Sequence, residues 1–114
     1  MLFLSFNIRG LGGAPKLAAL GRILDLKRPK VIALQETMTE GGKVKDALKR
    51  YLKDWHMEAL DADGNSRGLM TAWSPEIMCH NITSYKDAIG SELEDPETEL
   101  RFYFLNIYAP FHDK

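Results

Sequence analysis

Two polar side chains stand where apolar runs stop. Asn7 follows Leu2-Phe3-Leu4-Ser5-Phe6, and Glu36 follows Val31-Ile32-Ala33-Leu34-Gln35. A carboxylate beside a carboxamide suits Mg²⁺, which takes one or two carboxylates and leaves its other positions to water and phosphate oxygens. The plainer reading makes Glu36 a solvated residue that closes a strand. A second chemistry is a phosphate cradle. Gly10 and Gly12 follow a strand and precede a helix, and Glu36 ends the next strand, where a ribose-binding carboxylate belongs. Pro15 occupies the place of the third glycine in that fingerprint, the one that lets helix and strand pack closely.

The elements around these residues decide whether they meet. Leu2 to Phe6 reads as a short buried strand, ended by Asn7 and the stretch Gly10 to Gly13. Pro15 suits the first turn of a helix, Leu17, Leu20 and Leu24 repeat at helical spacing, and Pro29 stops it. Val31 to Leu34 is a second strand. Strand, helix and strand make a βαβ unit with parallel strands, so Asn7 and Glu36 emerge at one sheet edge, where open α/β sheets place ligands.

Gly41-Gly42 opens a second helix, with Val44, Leu48, Tyr51, Leu52 and Trp55 on one face and Lys45, Lys49 and Lys53 largely off it. Met57–Leu60, Gly68–Trp73, Ile77–Tyr85 and Ala88–Leu93 follow as strand candidates, with polar turns at 61–66 and 94–97. Leu100 to Tyr108 reads as the strongest strand, central in its sheet, with Phe102, Tyr103 and Phe104 supplying apolar surface to both faces. His56 and His80 lack a carboxylate at ligand spacing and read as core-edge or surface residues.

Composition narrows the function classes. The chain has 114 residues, 45% of them hydrophobic, enough for one core and too few for two domains of usual size. Lys plus Arg number 15 against 16 for Asp plus Glu, so no positive excess marks an electrostatic nucleic-acid module. A single cysteine, Cys79, excludes an intrachain disulfide and a Cys-rich metal site. The apolar start is too short for a secretory signal or membrane span, which leads us to expect an intracellular protein, nuclear or cytoplasmic, with no membrane partner.

Four segments, in order and covering nearly the whole chain, resemble the endonuclease/exonuclease/phosphatase superfamily. They are Leu4-Ser5-Phe6-Asn7-Ile8-Arg9-Gly10-Leu11-Gly12, Val31-Ile32-Ala33-Leu34-Gln35-Glu36-Thr37, Ser66-Arg67-Gly68-Leu69 with Trp73, and Leu105-Asn106-Ile107-Tyr108-Ala109-Pro110. The closest version is that of the endonuclease domains of plant LINE-type retrotransposons. The resemblance implies an α/β fold, the amino-terminal half of a DNase I-like two-sheet sandwich. It implies that Glu36 ligates Mg²⁺, that Asn7 positions water or a phosphate oxygen, and that Tyr108 aims its hydroxyl at the scissile phosphate. Arg67 is a weaker candidate for a DNA contact.

The family's Asp-x-Asn and Asp-His motifs do not follow. His112-Asp113 reads as a loop. We therefore expect residues 1–114 to form a partial domain, truncated after the Asn-x-Tyr-x-Pro strand. By resemblance it is a Mg²⁺-dependent DNA-nicking endonuclease, inactive alone, that binds Mg²⁺ weakly and tends to self-associate through an uncovered carboxy-terminal strand. A truncated phosphatase or deadenylase of the same superfamily, and a nucleotide-binding module built on the Gly10–Gly12 loop, are the alternatives.

Overall fold

The computed structural model describes residues 1–10, 14–62 and 67–108. Its elements are β1 (Phe3–Asn7), α1 (Ala14–Lys27), β2 (Val31–Gln35), α2 (Gly41–Leu48), β3 (His56–Leu60), β4 (Leu69–Trp73), β5 (Met78–Ser84), β6 (Ala88–Asp95) and β7 (Leu100–Ile107). Two sheets form, one of order β1-β2-β4-β3 and one of order β5-β6-β7. Strands β1 and β2 run parallel, with Asn7 opposite Gln35. Every other pairing among the described residues is antiparallel.

The period-two alternation of a strand explains why Val31 to Leu34 is apolar without a break. Ile32 and Leu34 point to one side, into a core with Leu20, Val44, Leu48, Leu52, Met70 and Ala72 from the helices, the following turns and β4. Val31 belongs to a second core with Trp73, Ile77 and Leu93, roofed by Phe102 and Phe104 of the other sheet. Strand β2 is thus buried on both faces, between helices and a second sheet.

Helix α1 ends as its sequence predicts. Arg28 takes a left-handed φ of 49°, its N–H bonds to the Leu24 carbonyl at 3.0 Å, and Pro29 follows. Helix α2 closes at Leu48, short of the periodicity that runs to Trp55. Turns continue the same face, because the Leu52 N–H still bonds the Leu48 carbonyl at 2.9 Å and Leu52 stays in the core. Among the described residues, no helix is long and apolar enough to cross a membrane.

Two expectations need correction. The first strand is not buried: β1 is the outer strand of its sheet, with Leu2 47% and Phe3 43% exposed. Its alternate residues Leu4 and Phe6 pack on the helical core while Phe3 meets Phe102 and Phe104. The strand from Leu100 is not central either. Among the described residues β6 holds the middle and β7 lies outside it, so Tyr103 and Ile107 remain 54% and 50% exposed. An apolar run reports burial of some face; it does not report which neighbour covers the edge.

The outer strands differ in how their edges are guarded. Strand β3 carries His56 and Glu58, and β5 carries a bulge between Cys79 and Asn81. Such devices discourage edge pairing. Strands β1 and β7, joined across the sheets by the Phe3 contacts, carry no bulge, proline or lysine.

One buried amide ties the sheets together. Asn106 of β7 is 2% exposed. Its Nδ2 donates to the Met70 carbonyl at 3.0 Å, to Thr71 Oγ1 at 3.1 Å and, at 3.4 Å, to the Leu34 carbonyl. Its Oδ1 accepts from Gln35 Nε2 at 2.9 Å. Removing this amide strands buried polar partners, at roughly 1–3 kcal/mol for each group left unsatisfied. Asn106→Ala is therefore expected to lower stability in urea by about 2–3 kcal/mol, while Asn81→Ala on the exposed surface stays within about 0.5 kcal/mol. Equal midpoints for the two variants would contradict this.

Candidate functional site

Asn7 ends β1, and Glu36 directly follows β2. The parallel register brings them together at one sheet edge, as the βαβ reading predicts. Asn7 Nδ2 donates to Glu36 Oε2. Asn7 Oδ1 accepts from the Arg9 N–H at 3.2 Å, which holds the carboxamide with its amino side toward the carboxylate. Arg67 Nη1 pairs with the other carboxylate oxygen, Oε1, at 3.3 Å. The Glu36 side chain is only 18% exposed, so its charge is met by one amide and one guanidinium in a partly shielded place.

The backbone carrying Glu36 is unusual. Glu36 and Met38 have φ of 56° and 64°, in the left-handed region that residues with a Cβ seldom adopt. Neighbouring bonds hold it there: Gly10 N–H to the Glu36 carbonyl at 2.7 Å, Thr37 N–H to the Gly68 carbonyl at 3.2 Å, and Met38 N–H to the Arg67 carbonyl at 2.6 Å. The last two bonds also bring Arg67 beside Glu36. Clusters of sparsely populated backbone occur where a site must aim a side chain.

Glu36 and Asn7 open into a cleft of about 520 Å³ between the two sheets. Ser5, Ala33, Gln35, Asn106, Ile107 and Tyr108 are among its lining. Tyr108 thus shares the cleft with Asn7 and Glu36, anchored by its N–H on the Asp87 carbonyl at 2.9 Å. Gln35 and Ser5 enter the site from the structure alone. Gln35 Nε2 bonds Ser5 Oγ at 3.2 Å and Asn106 Oδ1 at 2.9 Å, linking the cleft floor to the tie between the sheets. The signal in the sequence was a polar residue, Asn106, following the apolar and aromatic stretch Phe102 to Leu105.

The donor set fits a hard cation. Glu36 offers two carboxylate oxygens, one already facing a cationic partner, and an ion such as Mg²⁺ keeps most of its shell as water. Among the described residues Glu36 is the one acid lining the cleft, and no group of three His, Cys, Asp or Glu side chains converges. Asp61 accepts the Gly41 N–H at 2.6 Å, at the start of α2. Asp63, Gly12 and His112-Asp113 lie outside the described residues. The histidines are not without carboxylates, contrary to the spacing argument. His56 Nε2 meets Glu58 at 2.9 Å and His80 Nε2 meets Glu94 at 2.7 Å, both through strand pairing or alternation and away from the cleft lining.

The β1–α1 loop does not offer a phosphate cradle over its described part. The N–H groups of Ile8, Arg9 and Gly10 already bond the Gln35 carbonyl, Asn7 Oδ1 and the Glu36 carbonyl. The strictest fit in the site is at Gly68, with φ of 87°, where an added Cβ would lie 2.2 Å from Thr37 Oγ1. Gly68→Ala is expected to destabilise by roughly 1–3 kcal/mol in chemical denaturation. Adding Thr37→Ala should recover only the part due to the clash, and full recovery would contradict the backbone argument.

No protein-family profile matches the chain, and no curated protein matches it in sequence. Solved structures do match. An AP endonuclease, LMAP from Leishmania major, superposes with a TM-score of 0.65 at 16% identity over 93% of this chain and 39% of its own. The human Nocturnin catalytic domain gives 0.67 at 14% identity over 87% and 45%. ANGEL2, described as a 2′,3′-cyclic phosphatase, gives 0.63 at 10% identity over 92% and 40%. The chain spans less than half the length of each of these proteins. At such identities the likeness is one of fold, and it is the fold that the strand motifs predict: this chain carries a DNase I-like two-sheet α/β architecture, shared with these proteins.

Proposed function

We propose that the chain carries the cation- and phosphate-binding part of a Mg²⁺-dependent phosphodiesterase, a DNA-nicking endonuclease of the kind found in plant LINE-type retrotransposons, working in the nucleus or cytoplasm. The observation that carries this reading is the Glu36 carboxylate held between the Asn7 amide and the Arg67 guanidinium at the mouth of the cleft that Tyr108 lines. Mg²⁺, when bound at Glu36, supplies Lewis-acid stabilisation of charge on the phosphate oxygens.

The chain's own residues supply the rest. Asn7 steadies the carboxylate and presents an N–H to a phosphate oxygen. Arg67 is the counter-ion of Glu36 without substrate, and a phosphate offers it a stronger, charge-assisted pair. Tyr108 donates its hydroxyl to the phosphate from the β7 side. Within the described lining of the cleft there is no His, Asp or Lys to take the proton of an attacking water. General-base help is worth about 10²–10⁴-fold, so we propose that these residues alone bind without turning over.

A phosphatase or deadenylase of the same superfamily is the second reading, favoured by the fold shared with ANGEL2, the 2′,3′-cyclic phosphatase. Supercoiled DNA and short adenylate RNA, offered in parallel, separate the two. The chain alone is expected to nick neither above background. Together with a superfamily carboxy-terminal half it should nick DNA with Mg²⁺, and Glu36→Gln should lower that rate at least 100-fold. Nicking that survives Glu36→Gln would contradict the site.

We further propose self-association through the unguarded edges of β1 and β7. An exposed edge without bulge, proline or lysine templates pairing with another chain. Sedimentation at about 100 µM is expected to show dimers or larger species, and Leu105→Lys on β7 should shift them toward monomer. A monomeric wild-type chain would contradict this.

A further inference from the structure

Lys16 has an odd place for a cation. It sits in the first turn of α1, which holds no acidic residue and where the helix dipole disfavours positive charge. Its ammonium turns back instead of reaching into solvent. Nζ donates to three successive carbonyls, those of Ile8 at 3.1 Å, Arg9 at 2.8 Å and Gly10 at 3.3 Å. An ammonium has three N–H donors, so each one is used.

Peptide planarity makes that grip directional. The carbonyl of one residue and the N–H of the next belong to one plane and point in opposite directions. The plane whose oxygen faces Lys16 from Ile8 turns the Arg9 N–H to Asn7 Oδ1, at 3.2 Å. The plane whose oxygen comes from Arg9 turns the Gly10 N–H to the Glu36 carbonyl, at 2.7 Å. Two consecutive peptide planes are therefore gripped between Lys16 on one side and the two site residues on the other. Arg9 and Gly10 have φ of 49° and 90°, and for Arg9 that conformation is unfavourable and needs an external hold.

We propose that Lys16 is a positioning residue of the Glu36 site: by fixing these two peptide planes it holds the Asn7 amide and the Glu36 backbone in the arrangement that receives a divalent cation. The inference rests on the reading of Glu36 as a cation ligand given above, and it goes further by naming what preorganises that ligand. Charge and position predict opposite signs for the same substitution. Removing a positive charge near a cation site strengthens cation binding by Coulomb's law. Loosening the planes weakens it.

The test compares the wild-type chain with Lys16→Met, with Lys45→Met on the exposed face of α2 as control. Residue-resolved hydrogen exchange is read at Arg9 and Gly10 against the core amides of Leu34 and Met70. Lys16→Met is expected to lose protection at least tenfold at Arg9 and Gly10 and to leave Leu34 and Met70 unchanged. No loss, or a loss shared equally by the core amides, overturns the clamp. In parallel, free Mn²⁺ is titrated by electron paramagnetic resonance, with Glu36→Gln defining the signal of the site. The dissociation constant in Lys16→Met should rise at least threefold, and a constant that falls or stays the same overturns the positioning role. If wild type and Glu36→Gln bind Mn²⁺ equally, the cation reading of Glu36 fails, and the exchange result alone decides the clamp.

Discussion

The buried carboxamide of Asn106 is the constraint on which the cleft depends. Two sheets stacked through apolar side chains can slide with little penalty, since hydrophobic contact has no preferred direction. A hydrogen bond does. Asn106 fastens β7 to the Met70 carbonyl and Thr71 hydroxyl of β4, and to Gln35 of β2. Tyr108 lies two residues further along the same chain, and Glu36 lies one residue beyond Gln35. The tie thus sets how far the phenol and the carboxylate stand apart across the cleft. An apolar residue would fill the volume at position 106 and leave that spacing undefined.

A second demand acts on the backbone. Arg9, Glu36 and Met38 all take left-handed conformations within the loops that frame the site. Each such residue costs on the order of 1–3 kcal/mol, which persists only where the surroundings over-determine it. Here they do, through the Lys16 ammonium on one loop and the backbone bonds from Thr37 and Met38 to Gly68 and Arg67 on the other. Stability and site geometry are coupled by these bonds, because loosening either loop would let Glu36 relax away from its partners.

Much of this was legible in the sequence, and the limits have a physical cause. The apolar run before Glu36, the helix between Pro15 and Pro29, and the parallel strands that bring Asn7 to Glu36 all depend on local pattern and on the chirality of βαβ units. The burial of β1 and the central place of β7 were misread because both depend on which strands lie alongside. The partners of His56 and His80 escaped notice for a related reason, since spacing in the chain does not report what strand alternation and pairing bring together. Asn106 could be seen as a polar residue in a largely apolar strand, but its role needed the placement of β7, a strand that begins more than sixty residues after β2 ends. Arg67 lies beside Glu36 because two loop backbones bond to each other, and no periodicity records that.

The central claim is that Glu36, flanked by Asn7 and Arg67, receives a divalent cation that engages phosphate. Anomalous diffraction from crystals of the chain soaked in Mn²⁺ and a phosphate monoester tests it most directly. The account predicts one anomalous peak at a carboxylate oxygen of Glu36, at about 2.1 Å as for an octahedral hard cation, with the Arg67 guanidinium moved from Glu36 onto the phosphate. A peak elsewhere on the chain, with the Arg67–Glu36 pair intact, would contradict it.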